Sequence, residues 1–188
     1  MANNQEYEGD WVRGIPDGRG KEKTTSGDIY EGEFKGGKRH GIGKVEKKSG
    51  TTYEGQWEEG LPHGEGTEQH PGGPTYSGAY QKGQRVGRGK ITFPDNSTLE
   101  CEFVNGEPTG QGKFESADGE IYEGAFKDGR REGKGKIVFP DGNSYEGDFE
   151  RGIPHGEGKF INENKDVYTG HVVNSRREGQ GKLVLTNG

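Results

Sequence analysis

The sequence predicts an all-β protein, an elongated single-layer antiparallel β-meander of about sixteen strands with one β-hairpin per repeat, curled into a trough. Three observations predict it. A Tyr-Glu-Gly tripeptide, or a near copy, returns every 23 residues without insertion, its first position falling at Tyr7, Tyr30, Tyr53, Tyr76, Leu99, Tyr122, Tyr145 and Tyr168. Positions 1, 3 and 5 of each unit alternate with polar positions 2, 4 and 6, the period of a strand with one covered face. Positions 12 and 14 are glycine in every copy, from Gly18 and Gly20 to Gly179 and Gly181. A unit this small cannot bury a core alone, so the units must stack on one another. A polar lead-in, residues 1–6, precedes an array that runs from 7 to 188.

The first strand of each unit holds position 5, which is aromatic at Trp11, Phe34, Trp57, Tyr80, Phe103, Phe126 and Phe149 before Val172 ends the row. Position 8 is glycine except at Ser175, and it opens the turn. The second strand follows, with position 16 apolar at Val45, Ile91, Phe114, Ile137, Phe160 and Leu183 but interrupted by Glu22 and Glu68. A two-residue turn at positions 8 and 9 sets position 5 opposite 12, 3 opposite 14, 1 opposite 16 and 2 opposite 15. The glycines then read as sockets under the position 5 rings. Glu at position 2 and Lys at position 15 read as an ion-pair ladder that fixes register and solubility. Connections such as Phe93-Pro94-Asp95-Asn96 and Phe139-Pro140-Asp141-Gly142 are too short for anything but an antiparallel return.

With 24% hydrophobic and 31% charged residues the chain is as polar as a disordered one, yet aromatics at fixed positions serve no purpose in a disordered chain. A net charge of -6 argues against a nucleic-acid partner, which calls for a basic balance. The single cysteine, Cys101, excludes an internal disulfide framework and fits a reducing compartment. The polar start, without an apolar leader or spanning segment, sets the expectation of a cytoplasmic protein. Asn96-Ser97-Thr98 matches a glycosylation sequon, read here as an unused turn.

Tyr30-Glu31-Gly32 through Phe34 and Gly37 to His40-Gly41-Ile42-Gly43 resembles a MORN (membrane occupation and recognition nexus) repeat, and Tyr53-Glu54-Gly55-Gln56-Trp57 with His63-Gly64-Glu65-Gly66 resembles it more closely. The resemblance covers residues 7–188. It implies a curled antiparallel sheet acting as a scaffold or adaptor for protein or lipid, associated with cytoskeletal, ciliary or cortical structures, and it implies no chemistry. Leu99 and Cys101 in the fifth repeat, and Val172 and Ser175 in the eighth, depart from the family pattern and put the packing there in question.

Two rows are candidate binding sites. The first is an aromatic trough of Tyr30, Phe34, Tyr53, Trp57, Tyr76, Tyr80, Phe93, Tyr122, Phe126, Phe139, Tyr145 and Phe149, whose rings suit an extended peptide or a helix. The second is a rim of turns at positions 9 and 10. These alternate between apolar-Pro pairs, such as Ile15-Pro16 and Leu61-Pro62, and the basic residues Lys38, Arg39, Arg85, Arg130, Arg131, Arg176 and Arg177, which makes the true unit a pair of repeats. Basic points at regular intervals suit an acidic protein tail or acidic phospholipid headgroups. The uncapped first and last strands point to self-association through edges.

The five histidines lie too far apart for one metal, and the Gly-rich segments lack the Lys-Ser/Thr of a phosphate loop, so no metal or cofactor is expected. No nucleophile or convergent carboxylate pair stands out, so no catalysis is expected. The reading is a non-enzymatic scaffold that assembles proteins, in a cytoskeletal or ciliary structure such as a radial spoke. The alternatives are a peripheral membrane tether and a targeting module of a larger enzyme.

Overall fold

The computed structural model describes residues 5–186. Sixteen antiparallel strands follow one another in sequence order in a single open sheet, one layer thick, with no helix among the described residues. The chain divides into two compact units, residues 1–94 and 95–188. The first holds β1 (Glu6–Val12), β2 (Ile15–Lys23), β3 (Ile29–Lys35), β4 (Lys38–Glu46), β5 (Thr52–Glu58), β6 (Leu61–Gln69), β7 (Thr75–Gln81) and β8 (Gln84–Thr92). The second holds β9 (Thr98–Val104), β10 (Glu107–Glu115), β11 (Ile121–Lys127), β12 (Arg130–Val138), β13 (Ser144–Glu150), β14 (Ile153–Ile161), β15 (Val167–Val173) and β16 (Arg176–Val184).

The hairpin turn sits one residue earlier than the sequence predicts, at positions 7 and 8. Both residues are left-handed: φ is 51° at Glu59 and 85° at Gly60, and 49° at Asp128 and 72° at Gly129. Two consecutive positive φ values are the mark of a type I′ turn, whose twist matches that of the strands it joins. The earlier turn changes half of the predicted register. Position 5 faces position 10 of its own hairpin, as in Trp57↔Pro62 and Phe126↔Arg131. Positions 1, 2 and 3 still face 16, 15 and 14, as in Tyr30↔Val45, Glu31↔Lys44 and Gly32↔Gly43.

A bulge reconciles the two halves. Between His40 and Gly43 the second strand of the second repeat holds two residues, Gly41 and Ile42, that have no opposite number on β3. Gly41 is left-handed, with φ 59°, which explains glycine at position 12. The amide this leaves at position 13 is taken up by the side chain at position 4: Ile42 N–H donates to Glu33 Oε1 at 3.2 Å, Glu65 N–H to Gln56 Oε1 at 3.2 Å, and Glu157 N–H to Asp148 Oδ2 at 3.1 Å. The predicted pairing of position 5 with position 12 does occur, but across the boundary between repeats, as in Gly18↔Phe34, Gly41↔Trp57 and Gly133↔Phe149.

The sockets hold a different ring from the one predicted. A Cβ at Gly124 or at Gly135 would come within 2.5 Å of the Tyr122 hydroxyl, so it is the position 1 tyrosine that lies on the glycine pair of positions 3 and 14. Its hydroxyl then reaches back to its own strand and donates to the position 4 carbonyl, from Tyr53 to Gln56 at 2.9 Å and from Tyr122 to Ala125 at 2.9 Å. Position 5 rings stand edge-on between successive tyrosines. Tyr30 meets Phe34 of its own repeat at 5.1 Å and Trp57 of the next at 5.0 Å; Tyr122 meets Phe126 at 5.2 Å and Phe149 at 5.0 Å. Edge-to-face pairs contribute about 0.5–1.5 kcal/mol each beyond the area they bury. Repeated along a unit, they explain how so polar a chain sustains a core without a second layer.

Successive repeats are also stitched through their turns. The position 8 amide donates to the position 10 carbonyl of the preceding repeat, from Gly37 to Pro16 at 2.8 Å and from Gly152 to Arg131 at 2.9 Å. Proline at position 10 has no N–H to give, and its carbonyl still accepts.

Candidate interaction face

Position 10 is the second residue of each second strand, and in even repeats it is arginine. Because it faces position 5, its side chain turns onto the aromatic face and does not project from a rim. The Arg39 guanidinium lies 4.8 Å from the Tyr30 ring centroid and 5.5 Å from that of Trp57; Arg85 lies 4.5 Å from Tyr76. In the second unit Arg131 lies 4.9 Å from Tyr122, and Arg177 4.9 Å from Tyr168. A guanidinium over a tyrosine face gains from the ring quadrupole, the more so as water is excluded.

Three of these arginines also hold a carboxylate from the repeat before. Arg39 pairs with Glu22 at 2.9 Å, Arg85 with Glu68 at 2.8 Å and Arg131 with Glu120 at 2.5 Å. The two glutamates that interrupt apolar position 16 are therefore partners of the arginines one repeat later. Burial works to raise the Glu68 carboxyl pKa, but the hydrogen bond and charge of Arg85 outweigh it and hold it below the usual value. Burial works against the Arg85 cation, and Glu68 with the Tyr80 hydroxyl more than restores it. Each of these three stations thus joins a ring, a cation and an acid, while Arg177 lies over the Tyr168 and Phe160 rings. The spacing was legible in the sequence: Glu22 and Glu68 fall in the repeats that precede Arg39 and Arg85.

Of the predicted trough residues, Tyr30, Phe34, Tyr53, Trp57, Tyr76, Tyr80, Tyr122, Phe126, Tyr145 and Phe149 are buried and form the core itself. Phe93 and Phe139, at position 18, are half-buried. The basic row divides in two. Arg39, Arg85 and Arg131 are half-buried on the aromatic face and Arg177 is exposed there, whereas Lys38, Arg130 and Arg176 at position 9 are exposed at the strand ends. Lys38 meets Glu59 at 2.5 Å. Apolar side chains take position 9 in three of the four intervening repeats, with Ile15, Leu61 and Ile153 all exposed, and Glu107 takes it in the fifth. On the opposite face position 2 stands opposite position 15 of its own hairpin as predicted, as in Glu31↔Lys44, but the ion pair crosses to the next repeat, where Lys44 reaches Glu54 at 3.6 Å.

Among the described residues no group of three or more His, Cys, Asp or Glu side chains is placed to hold a metal, and no helix is long and apolar enough to cross a membrane. The chain is therefore a ring-cored sheet with polar stations, and comparison with known proteins bears on what such a sheet does. The family model for the MORN repeat matches eight consecutive segments, 7–29, 30–52, 53–75, 76–98, 102–121, 122–144, 145–167 and 168–188. The fifth match begins only after Leu99 and Cys101, the departures from the pattern. No curated protein matches the chain.

Solved structures share the fold at low identity. The G-box domain of the microcephaly protein CPAP is 17% identical, with 88% of this chain and 85% of that one covered and a TM-score of 0.55. The TCP10 domain of Danio rerio CPAP, in complex with a peptide of Danio rerio STIL, is 18% identical, with 89% and 82% covered and a TM-score of 0.53. The Drosophila melanogaster SAS-4 (dCPAP) TCP domain, in complex with a proline-rich motif of Ana2 (dSTIL), is 9% identical, with 89% and 84% covered and a TM-score of 0.51.

Proposed function

We propose that this chain, which belongs to the MORN repeat family over residues 7–188, is a protein-binding scaffold that holds an extended segment of a partner against its aromatic face. The observation that carries the reading is the row of stations: Arg39 on Tyr30 and Arg85 on Tyr76 in one unit, Arg131 on Tyr122 and Arg177 on Tyr168 in the other. Within a unit, equivalent stations stand four strands apart, about 19 Å. An extended chain rises about 3.3 Å per residue, so a segment of about six residues spans two of them. Its carboxylates and carbonyls would find guanidinium donors, and its apolar side chains or prolines would find Phe93, Phe139 and the remaining ring edges.

Support also comes from the fold neighbours, two of which hold a peptide in their structures, one of them a proline-rich motif. A neighbour linked to centriole elongation favours a partner within a cytoskeletal assembly. Placement in a cilium or axoneme is the finer form of the same proposal and rests on family resemblance.

Selection from a displayed library of random peptides tests the reading. Enriched peptides should bind the intact chain in solution and lose affinity when Arg85 or Arg131 is replaced by methionine, which keeps the stem over the ring and removes the charge. No enrichment, together with salt-sensitive binding to vesicles containing acidic phospholipid, would overturn it in favour of a membrane tether working through the exposed Lys38, Arg130 and Arg176.

A further inference from the structure

Trp11 and Trp57 hold the same position in the first and third repeats, yet Trp57 is 5% exposed and Trp11 55%. The difference lies in what the preceding repeat supplies. Trp57 receives three groups from the second repeat: the edge-on ring of Tyr30 at 5.0 Å, the Arg39 guanidinium at 5.5 Å, and the Gly43 carbonyl, to which its indole N–H donates at 3.0 Å. Among the described residues nothing supplies these groups on the outer side of β1. The far edge of the sheet carries the corresponding set on the eighth repeat. Tyr168 stands where Tyr30 does, Arg177 where Arg39 does, and Gly181 where Gly43 does. Arg177 lies 4.9 Å from Tyr168, as Arg39 lies 4.8 Å from Tyr30, and Leu183 and Val184 on the same strand are half exposed.

We infer that β16 of one copy of this chain pairs antiparallel with β1 of a second copy, in the register of the internal β4–β5 junction. That junction sets Gly41 opposite Trp57, Gly43 opposite Gly55, Lys44 opposite Glu54 and Val45 opposite Tyr53. Carried to the two edges, it sets Gly179 opposite Trp11 of the other copy, Gly181 opposite Gly9, Lys182 opposite Glu8 and Leu183 opposite Tyr7. An even repeat is again followed by an odd one, so the alternation of arginine and proline runs on unbroken. The occupant is a second copy because the groups that already fit Trp57 recur on β16. The contact is heterologous: each copy uses one edge as donor and the other as acceptor, so assembly continues past two copies. This inference does not rest on the peptide-binding reading.

The test is sedimentation of the full chain over a range of concentrations, joined to the fluorescence of a Trp57→Phe variant in which Trp11 is the remaining indole. The expected result is a mass that grows past two copies with concentration, while Trp11 emission shifts to shorter wavelength in parallel. Glu8→Lys and Lys182→Glu each place like charges across the junction and should weaken association by about tenfold or more. Mixing those two variants should restore it, because every junction between unlike copies again joins opposite charges. Trp11→Ala, at a ring that is half exposed and meets Tyr7 edge-on at 4.9 Å, should also weaken association, with circular dichroism of the dilute variant checking that the sheet is kept. A chain that stays single at every concentration, an assembly that stops at two copies, or charge variants that mixing does not rescue would each overturn the inference.

Discussion

Leu99 and Cys101 together occupy the place that a tyrosine ring takes over a glycine in the other seven repeats. Leu99 is 6% exposed and Cys101 fully buried, and a Cβ at the facing Gly112 would lie 2.6 Å from the Cys101 Cβ, where elsewhere it would meet a tyrosine. The shorter Leu leaves room under it and the Cys fills that room, so the departure is compensated within one strand. Leu99→Tyr alone should therefore be destabilising by about 1–3 kcal/mol through overpacking, and adding Cys101→Gly should recover most of the loss. Urea unfolding of the two variants checks this; equal stability for the single and the double would break the argument.

Glu68 and Arg85 are a second such pair, each side chain less than a quarter exposed. Glu68→Gln should cost about 1.5–3 kcal/mol, since it removes the negative charge paired with a half-buried guanidinium and leaves a neutral acceptor in its place. The pair also has a pH signature. The Glu68 carboxyl is held below its ordinary 4.5, so its contribution is fully present above that pH and is lost as pH falls through the lowered value. Denaturation midpoints followed into acid should fall less steeply for Glu68→Gln than for the native chain.

Ser175 sits at φ 65° in the turn between β15 and β16, where the other repeats place glycine, as Gly83 does at φ 81°. Ser175→Gly should stabilise the last hairpin by about 1 kcal/mol, and Gly83→Ser should cost a similar amount. Hydrogen exchange of the amides of β16 reads the first effect and urea unfolding reads the second.

The buried tyrosines set the alkaline limit. Burial pushes the hydroxyls of Tyr53, Tyr122 and Tyr145 from the ordinary 10.0 up to about 12. With the folded value raised, the stabilisation is intact below pH 10 and is lost as pH climbs from there through about 12. Tyrosinate absorbance should appear together with the collapse of the sheet signal in circular dichroism. Stepwise ionisation with the sheet intact would contradict the ring-on-glycine packing.

Much of this architecture was legible in the residues. Glycine rows at positions 3 and 14 announce a close approach of two backbones and a ring above them, and Tyr-Glu-Gly alternation announces the strand. The bulge was not legible from alternation alone, since a count of apolar positions does not register the two unopposed residues Gly41 and Ile42, although glycine at position 12 and an acceptor such as Glu33 at position 4 were its traces. The basic residues were read as one rim of turns facing an acidic partner; the rim position suits Lys38, while Arg39 is drawn inward by Tyr30 and Glu22. The trough rings were read as a candidate site for an extended peptide or a helix, and also as the only core on offer; their packing on one another, as Trp57 covers Tyr30, gives them chiefly the second role.

The pairing of Glu22 with Arg39 and of Glu68 with Arg85 reaches beyond the stability of one chain, to how such an array can lengthen or shorten in evolution. The boundaries within each compact unit share one hydrogen-bond register, so the backbone alone would tolerate loss of a single repeat there. The side chains would not. Excising residues 30–52 sets Glu22 against Pro62 and strands a carboxylate, whereas excising 30–75 delivers Glu22 to Arg85 and rebuilds the station. The heritable step is two repeats, and an odd-numbered change leaves a seam.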